Sequence, residues 1–474
     1  MPSKGIQLYT FIGIGKCQIS YTVPGFSIIR EQPGTYNDHL EVDKAHIQGL
    51  FNFVGRFQFK VSVNGKAITS QYVDINTLTG NMESGTMKSN VDQRSVVTNE
   101  LVVTYGLYDA GQGQAGLPKS DQCYVTVTKN QSNWLGTMAP AGSAQEKGPF
   151  SLFVLPSAHD IGMNSMETAD LLLQKAATPF LGVLKSVEVI NTVANLMSDA
   201  ILLGIAPNII RSLAITQKDS LPVILAIGAR YFEFRPAHLH KSVLPNAQIP
   251  DRLYFMHGPI PGMAFDHFLY DCIAFLMAHP LEIVVIQLRW DGVPAECARP
   301  SDEELAEYIR TALQSSNNTI ITGSLDDMTK LSTHDLRNQR KRLILFKEVS
   351  VLSTYDDASN ATLNGDSIIA AFNRRLSTAA EDGKALVNLQ CQATASNIKE
   401  VVVYSAVTAN VSNSCLMSTK GICDSKTLPW IDRYALDRLQ ASGKPIVVMN
   451  DFIDGHTVEV GIVLSQRRLG SYKK

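Results

Sequence analysis

Two patterns of apolar residues divide the chain. Up to about residue 135 they alternate. Across 56–63, Phe57, Phe59, Val61 and Val63 fall at every second position, so a strand presents them on one face. Asn64-Gly65 follows, a pair that accepts the left-handed backbone of a two-residue hairpin turn. Residues 101–108 and 123–128 read as further strands between Gly- and Pro-containing turns. Short strands at such spacing predict an all-β, sandwich-like domain over 1–136, in the role of a docking module or a structural extension. Residues 137–149 are small, polar and rich in Pro and Gly, and predict a linker.

From 150 onward the apolar residues come in short continuous runs: 150–155, 231–234, 253–256, 283–288, 343–346, 385–389, 401–404 and 445–449. Helical patterns lie between many of them, as at 265–278, 301–314 and 430–442. Strands apolar on both faces and alternating with helices predict a parallel sheet covered on each side. Eight of them over 150–474 predict an α/β TIM-type barrel. One stretch interrupts the alternation, a helical insertion at about 168–213. Val183, Val187, Ile190, Ala194, Met197 and Ile201 form a stripe along it. It is either a hairpin packed on the barrel rim or a lid, with peripheral membrane contact through 170–212.

Composition narrows the picture. With 45% hydrophobic and 18% charged residues among 474, the chain is a folded protein. Its net charge of −2 excludes nucleic-acid binding by bulk electrostatics. The N-terminal residues lack the features of a signal peptide, and no run is apolar enough for a transmembrane span. The expected location is cytoplasmic or peripheral to a membrane. The seven cysteines show no Cys-x-x-Cys spacing. Cys415 and Cys423 lie in a loop-like stretch where an oxidising compartment would allow a bridge. Cys272 and Cys391 sit in apolar runs and read as buried thiols.

Candidate chemistry gathers at the ends of four apolar runs. His159 and Asp160 follow the first, Glu233 and Arg235 end the second, His257 ends the third, and Arg289 and Asp291 follow the fourth. In a barrel such ends converge on one mouth. Two imidazoles supply a base and an acid, and an arginine fork matches phosphate oxygens. Carboxylates beside them set the imidazole tautomers. That set suits cleavage of a phosphodiester. Lys347, at the far end of 343–346, would face the same mouth. His238 and His240 lie in a loop without ligand-type carboxylate spacing, so no metal is expected there.

In this order the motifs Ser-Ala-His-Asp-Ile-Gly, Gly-Ala-Arg-Tyr-Phe-Glu-Phe-Arg-Pro, His-Gly and Phe-Leu-Met-Ala-His-Pro-Leu-Glu-Ile-Val-Val-Ile become more specific. The chain resembles the X-domain of phosphatidylinositol-specific phospholipase C, and within that superfamily the bacterial and fungal phospholipase C-like phosphodiesterases. Segments 215–221 and 447–452 are also similar. The resemblance covers roughly 150–465 and leaves the first 135 residues outside. It implies a phosphoric diester hydrolase or cyclising lyase acting on a phospholipid-like substrate. His159 would be the general base and His257 the general acid. Asp160 would stand near the acid and the attacking hydroxyl, and Asp451 would orient the base. Glu233 would take the acidic place in the second motif, and Arg289 the basic place after the fourth strand. Arg235 stands where metal-dependent relatives carry a carboxylate ligand, which implies catalysis without metal or other cofactor. The sequence departs from the pattern at 390–394, Gln-Cys-Gln-Ala-Thr, where inositol-lipid enzymes carry an Asp and a stacking Tyr. The headgroup therefore stays open. Two alternatives remain: an inactive barrel that binds lipid or glycan, and a metal-dependent phospholipase D-like toxin, which would need a carboxylate in place of Arg235.

Overall fold

The computed structural model describes residues 2–87, 93–111, 113, 117–187, 190–191, 194, 197–376, 383–394, 414–439 and 443–471. The strand expected at 401–404 lies outside them.

The N-terminal part forms two five-stranded sheets. One runs in the order Gly34–Asp43, Ser3–Ile12, Asp121–Lys129, Leu101–Tyr108, Val96–Val97, and the other Phe26–Arg30, Cys17–Val23, Val54–Val63, Lys66–Asn76, Met82–Gly85. Their facing sides share one apolar core that includes Phe57, Phe59, Val61 and Val63, the face expected from the alternation. Val63 pairs with Lys66 across Asn64 and Gly65, whose φ values are +51° and +76°. Every residue of Leu101–Tyr108 is buried, because this sheet is covered on its second side as well. There the helices Cys415–Trp430 and Gly455–Ser471 lie against it. Close approach demands small residues at this junction: a Cβ on Gly421 would meet the Tyr9 ring at 2.2 Å, and one on Gly455 the Thr128 hydroxyl at 2.3 Å.

The second part is a TIM-like barrel. Its wholly parallel sheet runs Thr322–Gly323, Leu343–Phe346, Val284–Leu288, Tyr231–Phe234, Val154–Ala158, Ile446–Asn450, Leu386–Gln390, Val351–Ser353. Among the described residues no ladder joins its two edge strands. The apolar runs are buried on both faces, as a parallel sheet under helices requires. Three expectations need correction. Residues 150–152 form a 3-10 turn, and the first strand is Val154–Ala158. The run ending at His257 is not a barrel strand: Tyr254–His257 belongs to a separate antiparallel sheet with Pro236–Ala237 and Ile260–Ala264. A four-residue apolar run followed by Gly258, at φ +57°, fits a hairpin as well as a barrel strand. Cys415 and Cys423 lie on one helix, where eight residues separate backbones by about 12 Å, too far for a disulfide. Cys423 is a free, buried thiol.

The insertion is several helices, including Glu167–Lys175, Ala177–Ser186 and Asp199–Leu213. Its stripe turns inward. Val183, Ile190 and Ala194 are buried in the barrel's core cluster and only Ile201 is exposed, so the stripe is packing and not a lipid-facing surface. Among the described residues no helix is long and apolar enough to cross a membrane.

The bottom of the barrel is locked by Arg230 of the Gly-Ala-Arg motif. Its guanidinium is fully buried and binds Glu282 at 2.7 Å and the carbonyls of Gln131 and Ser132 at 2.9 Å. Glu282 in turn accepts from the Gly136 amide at 2.8 Å. The stretch expected as a linker is packed close by, with buried Glu146 accepting from Arg337 at 2.8 Å. Arg230→Met would leave the Glu282 carboxylate buried without its partner. We expect it to lower unfolding free energy by about 3–5 kcal/mol in a urea titration. A loss near zero would show that the pair is dispensable.

Candidate active site

The C-terminal ends of the barrel strands surround a cavity of about 320 Å³. It is lined from one flank of the sheet by His159, Asp160, Arg235, Arg289 and Asp291, and from the other by Ser353, Tyr355, Gln390, Gln392 and Asp451. His257 reaches it from the antiparallel hairpin. Strand ends from both flanks meet here because the sheet curls.

Asp160 is the centre of this group. Its side chain is only 1% exposed, and its backbone adopts φ +43°, a left-handed conformation that Asp tolerates better than most residues. Arg235 lies 2.9 Å from one carboxylate oxygen. His159 Nε2 and His257 Nε2 stand 3.7 and 3.6 Å from the two oxygens. On its other side His159 is bonded through Nδ1 to Asp451 at 2.7 Å. Burial works against ionised Asp160, but Arg235 and then His159 outweigh it and hold the carboxyl well below its usual range.

The two histidines are pushed in opposite directions. Burial disfavours the charged form of His159, yet Asp160 and Asp451 lift its pKa to about 9. For His257 burial dominates, and Asp160 is countered by Arg235 and His159, so its pKa falls below 6.5. At pH 7 the proton therefore sits on His159, and His257 is neutral. Burial also raises the Asp451 carboxyl, a shift that His159 partly reverses.

The remaining expected residues divide. Glu233 is buried, does not line the cavity, and binds Arg289 at 2.5 Å. Arg289 also bridges to Asp291, so its fork is already engaged on two carboxylates. Lys347 does not join the site: its ammonium pairs with exposed Asp302, away from the residues that line the cavity. Among the described residues no three His, Cys, Asp or Glu side chains are placed to share a metal ion.

The resemblance marked the segment 215–221, but not the bonds by which its residues hold the loops of His159 and Asp451. The Thr216 hydroxyl lies 3.0 and 3.1 Å from the carbonyls of His159 and Asp160. The Gln217 amide donates to His159 and Asn450 carbonyls at 2.9 and 3.0 Å and accepts from the Ile453 amide at 3.0 Å. This segment ties the loop of His159 to that of Asp451. It is itself clamped by the sandwich: Lys218 donates to the Gln93 carbonyl at 2.6 Å, and Asp219 accepts from the Ser95 amide at 2.7 Å. Tyr355 was missed too. It stands beside Gln390, Gln392 and Thr394 on the cavity wall, so an aromatic ring enters the site from a loop other than 390–394.

No family model matches the chain, and no curated protein matches it. Similar solved structures include the phosphatidylinositol-specific phospholipase C from Listeria monocytogenes. It is 16% identical over 70% of this chain and 98% of that one, with a TM-score of 0.39. A pentafluoro-Phe-containing phosphatidylinositol-specific phospholipase C from Staphylococcus aureus is 14% identical over 71% and 97%, with a TM-score of 0.40.

The charge pattern makes a direct test. Histidine NMR titration should find a resonance with a midpoint near pH 9, assigned to His159 by its loss in His159→Ala. Asp451→Asn should bring that midpoint down. Since His159 is raised in the fold, its pairs stabilise fully below pH 6.5, and that contribution is lost as pH rises through about 9. His257, lowered in the fold, acts with the opposite sign and favours the fold above pH 6.5. An unmoved His159 midpoint in Asp451→Asn would refute the pairing.

Proposed function

We propose that this chain is a phospholipase C-type phosphodiesterase. It cleaves a phospholipid-like phosphodiester by acid–base catalysis between His159 and His257, with Arg235 on the phosphate. One geometric observation carries the reading: two imidazoles face the same buried carboxylate, with a guanidinium beside them, at a cavity of substrate size. In the reaction one histidine takes the proton of the attacking hydroxyl as its oxygen bonds to phosphorus. The bond from phosphorus to the leaving oxygen breaks, and the other histidine protonates that oxygen. Arg235 offsets the charge that gathers on the nonbridging oxygens. Attack by a hydroxyl of the substrate releases a cyclic phosphodiester, and attack by water a monoester.

The resting charges support a division of labour opposite to the one implied by the sequence resemblance. Neutral His257 is the group ready to accept a proton, and protonated His159 the one ready to give it. The wall formed by Ser353, Tyr355, Gln390, Gln392 and Thr394 offers hydroxyls and amides without charge, which suits an uncharged, hydroxyl-bearing headgroup.

Each of His159→Ala and His257→Ala should lower kcat on vesicles of the right headgroup by about 10²- to 10⁴-fold. Arg235→Lys should cost roughly a hundredfold. Full activity in His159→Ala would end the proposal, and loss of activity with a chelator would end its metal-free form. The rate should fall below pH 6.5 and again above about 9, whichever histidine is the acid. A substrate with a phenolic leaving group of low pKa separates the roles, because it needs little help from an acid. On it the His159→Ala variant should recover much more than His257→Ala. Binding without turnover across a headgroup panel would favour an inactive lipid- or glycan-binding barrel.

A further inference from the structure

Four large apolar side chains stand out in solvent at one end of the sandwich. Phe51 is 86% exposed, Leu50 79%, Leu78 55% and Phe26 53%. Leu50, Phe51 and Leu78 come from two loops, and Phe26 opens the strand Phe26–Arg30 beside them. Thr77 donates through its amide and hydroxyl to the Phe53 carbonyl at 2.9 and 3.0 Å, joining the loop of Leu78 to that of Leu50 and Phe51. The Phe26 ring packs edge-on against His46, with centroids 4.8 Å apart. Lys44 braces the base of the middle loop through the Ile47 and Gly49 carbonyls. These apolar side chains therefore project from a braced frame.

The chain around these tips is also uncharged. None of the stretches 24–29, 45–55 and 75–82 contains an Asp, Glu, Lys or Arg, in a chain with 18% such residues. Their polar residues are Asn, Gln, Ser, Thr and one His. An ordinary water-facing loop cluster carries charges, and one that binds an ionic partner carries more. Aromatic and aliphatic tips among amides and hydroxyls match the headgroup level of a bilayer, where one end of each side chain is dry and its neighbours are wet. Four tips fall short of the roughly twenty to thirty residues that each side of a standard protein interface contributes.

The same end of the sandwich adjoins the mouth of the barrel. Asp109, at the start of the loop after Leu101–Tyr108, accepts from the Met82 amide at 3.4 Å. A Cβ on Gly80 would meet the Gly111 carbonyl at 2.5 Å. Beyond them, Tyr108, Ala110 and Leu117 pack in one apolar cluster with Leu416 and Phe452, against which Leu213 also rests. Leu213 and Leu416 line the catalytic cavity, and Phe452 follows Asp451.

We propose that Phe26, Leu50, Phe51 and Leu78 form a lipid-docking tip that inserts into the interface of an electrically neutral membrane surface and presents the barrel mouth to it. The role of the tip in substrate delivery rests on the phosphodiesterase reading, while its binding to lipid does not.

The test uses the full chain with phosphatidylcholine vesicles, and separately a soluble short-chain phosphodiester. The wild type should partition onto the vesicles, with little change as salt is raised, because no counterions are released. Leu50→Ser and Phe51→Ser should each weaken partitioning about tenfold, and leave turnover of the soluble substrate and the thermal midpoint unchanged. Equal vesicle binding by wild type and the double variant Leu50→Ser/Phe51→Ser, or no binding by wild type, would overturn the tip. So would binding that collapses with salt, or self-association in solution that the double variant abolishes. Should neither protein turn over the soluble substrate while vesicle binding still depends on the tip, the phosphodiesterase reading fails and the docking surface stands.

Discussion

A carboxylate sealed from water has to be matched by positive charge, and Asp160 imposes that condition on everything around it. At 1% exposure its desolvation cost is several kcal/mol, which only close cations offset. Arg235 meets it directly, and the imidazoles of His159 and His257 approach from either side. The three partners come from three places in the fold: the loop after Val154–Ala158, the end of Tyr231–Phe234 and the hairpin strand Tyr254–His257. The site is therefore whole only when the barrel and its hairpin are both in place. The backbone repeats the point. Asp160 and Phe452, in the loops of His159 and Asp451, have φ of +43° and +45°. A bulky residue in that region is strained, and the strain persists only where surrounding bonds over-determine it. Here those bonds come from Thr216 and Gln217.

The sandwich belongs to this arrangement. Its segment 93–95 grips Lys218 and Asp219, next to the residues that splint the loops of His159 and Asp451. Arg94 also donates to the Lys218 carbonyl. The strand Leu101–Tyr108 of its first sheet is buried on both faces, one against its own core and one against barrel helices. A module clamped in this way fixes the direction of its exposed loops relative to the cavity. Contact made by those loops thus bears on how the mouth meets a surface.

Much of this was legible in the sequence, for physical reasons that differ by element. Alternation at 57–63 reports a half-buried strand, and Asn64-Gly65 is one of few pairs that fit its turn. Continuous apolar runs report parallel strands under helices, and their ends bring His159, Arg235 and Asp451 to one place. What was hidden lay where pattern has two solutions. The run at 254–257 is too short to tell a barrel strand from a hairpin. The stripe from Val183 to Ile201 is amphipathic, and amphipathicity does not say whether the apolar face meets a core or a lipid. Here it meets the core. Lys347 sits at a strand end as expected, but a long flexible side chain follows the nearest charge, and that is Asp302. Tyr355 and Gln217 act through tertiary contacts that no local spacing announces.

The opposite pKa shifts of the two histidines follow from one unequal contact. Both imidazoles face Asp160 at nearly the same distance, 3.7 and 3.6 Å. Asp160 alone would not separate them. His159 has a second carboxylate, Asp451, on its far nitrogen, and so keeps its proton. Among the described residues His257 has no such second carboxylate, and Arg235 and His159 both repel a proton from it. One carboxylate thus sets which imidazole is charged, and the Arg235 that holds Asp160 keeps the other neutral. A pair prepared in this way already holds one proton to give and one vacancy to fill at neutral pH. In the proposed reaction, that is the state in which a phosphodiester is attacked and its leaving oxygen protonated without waiting for exchange with water.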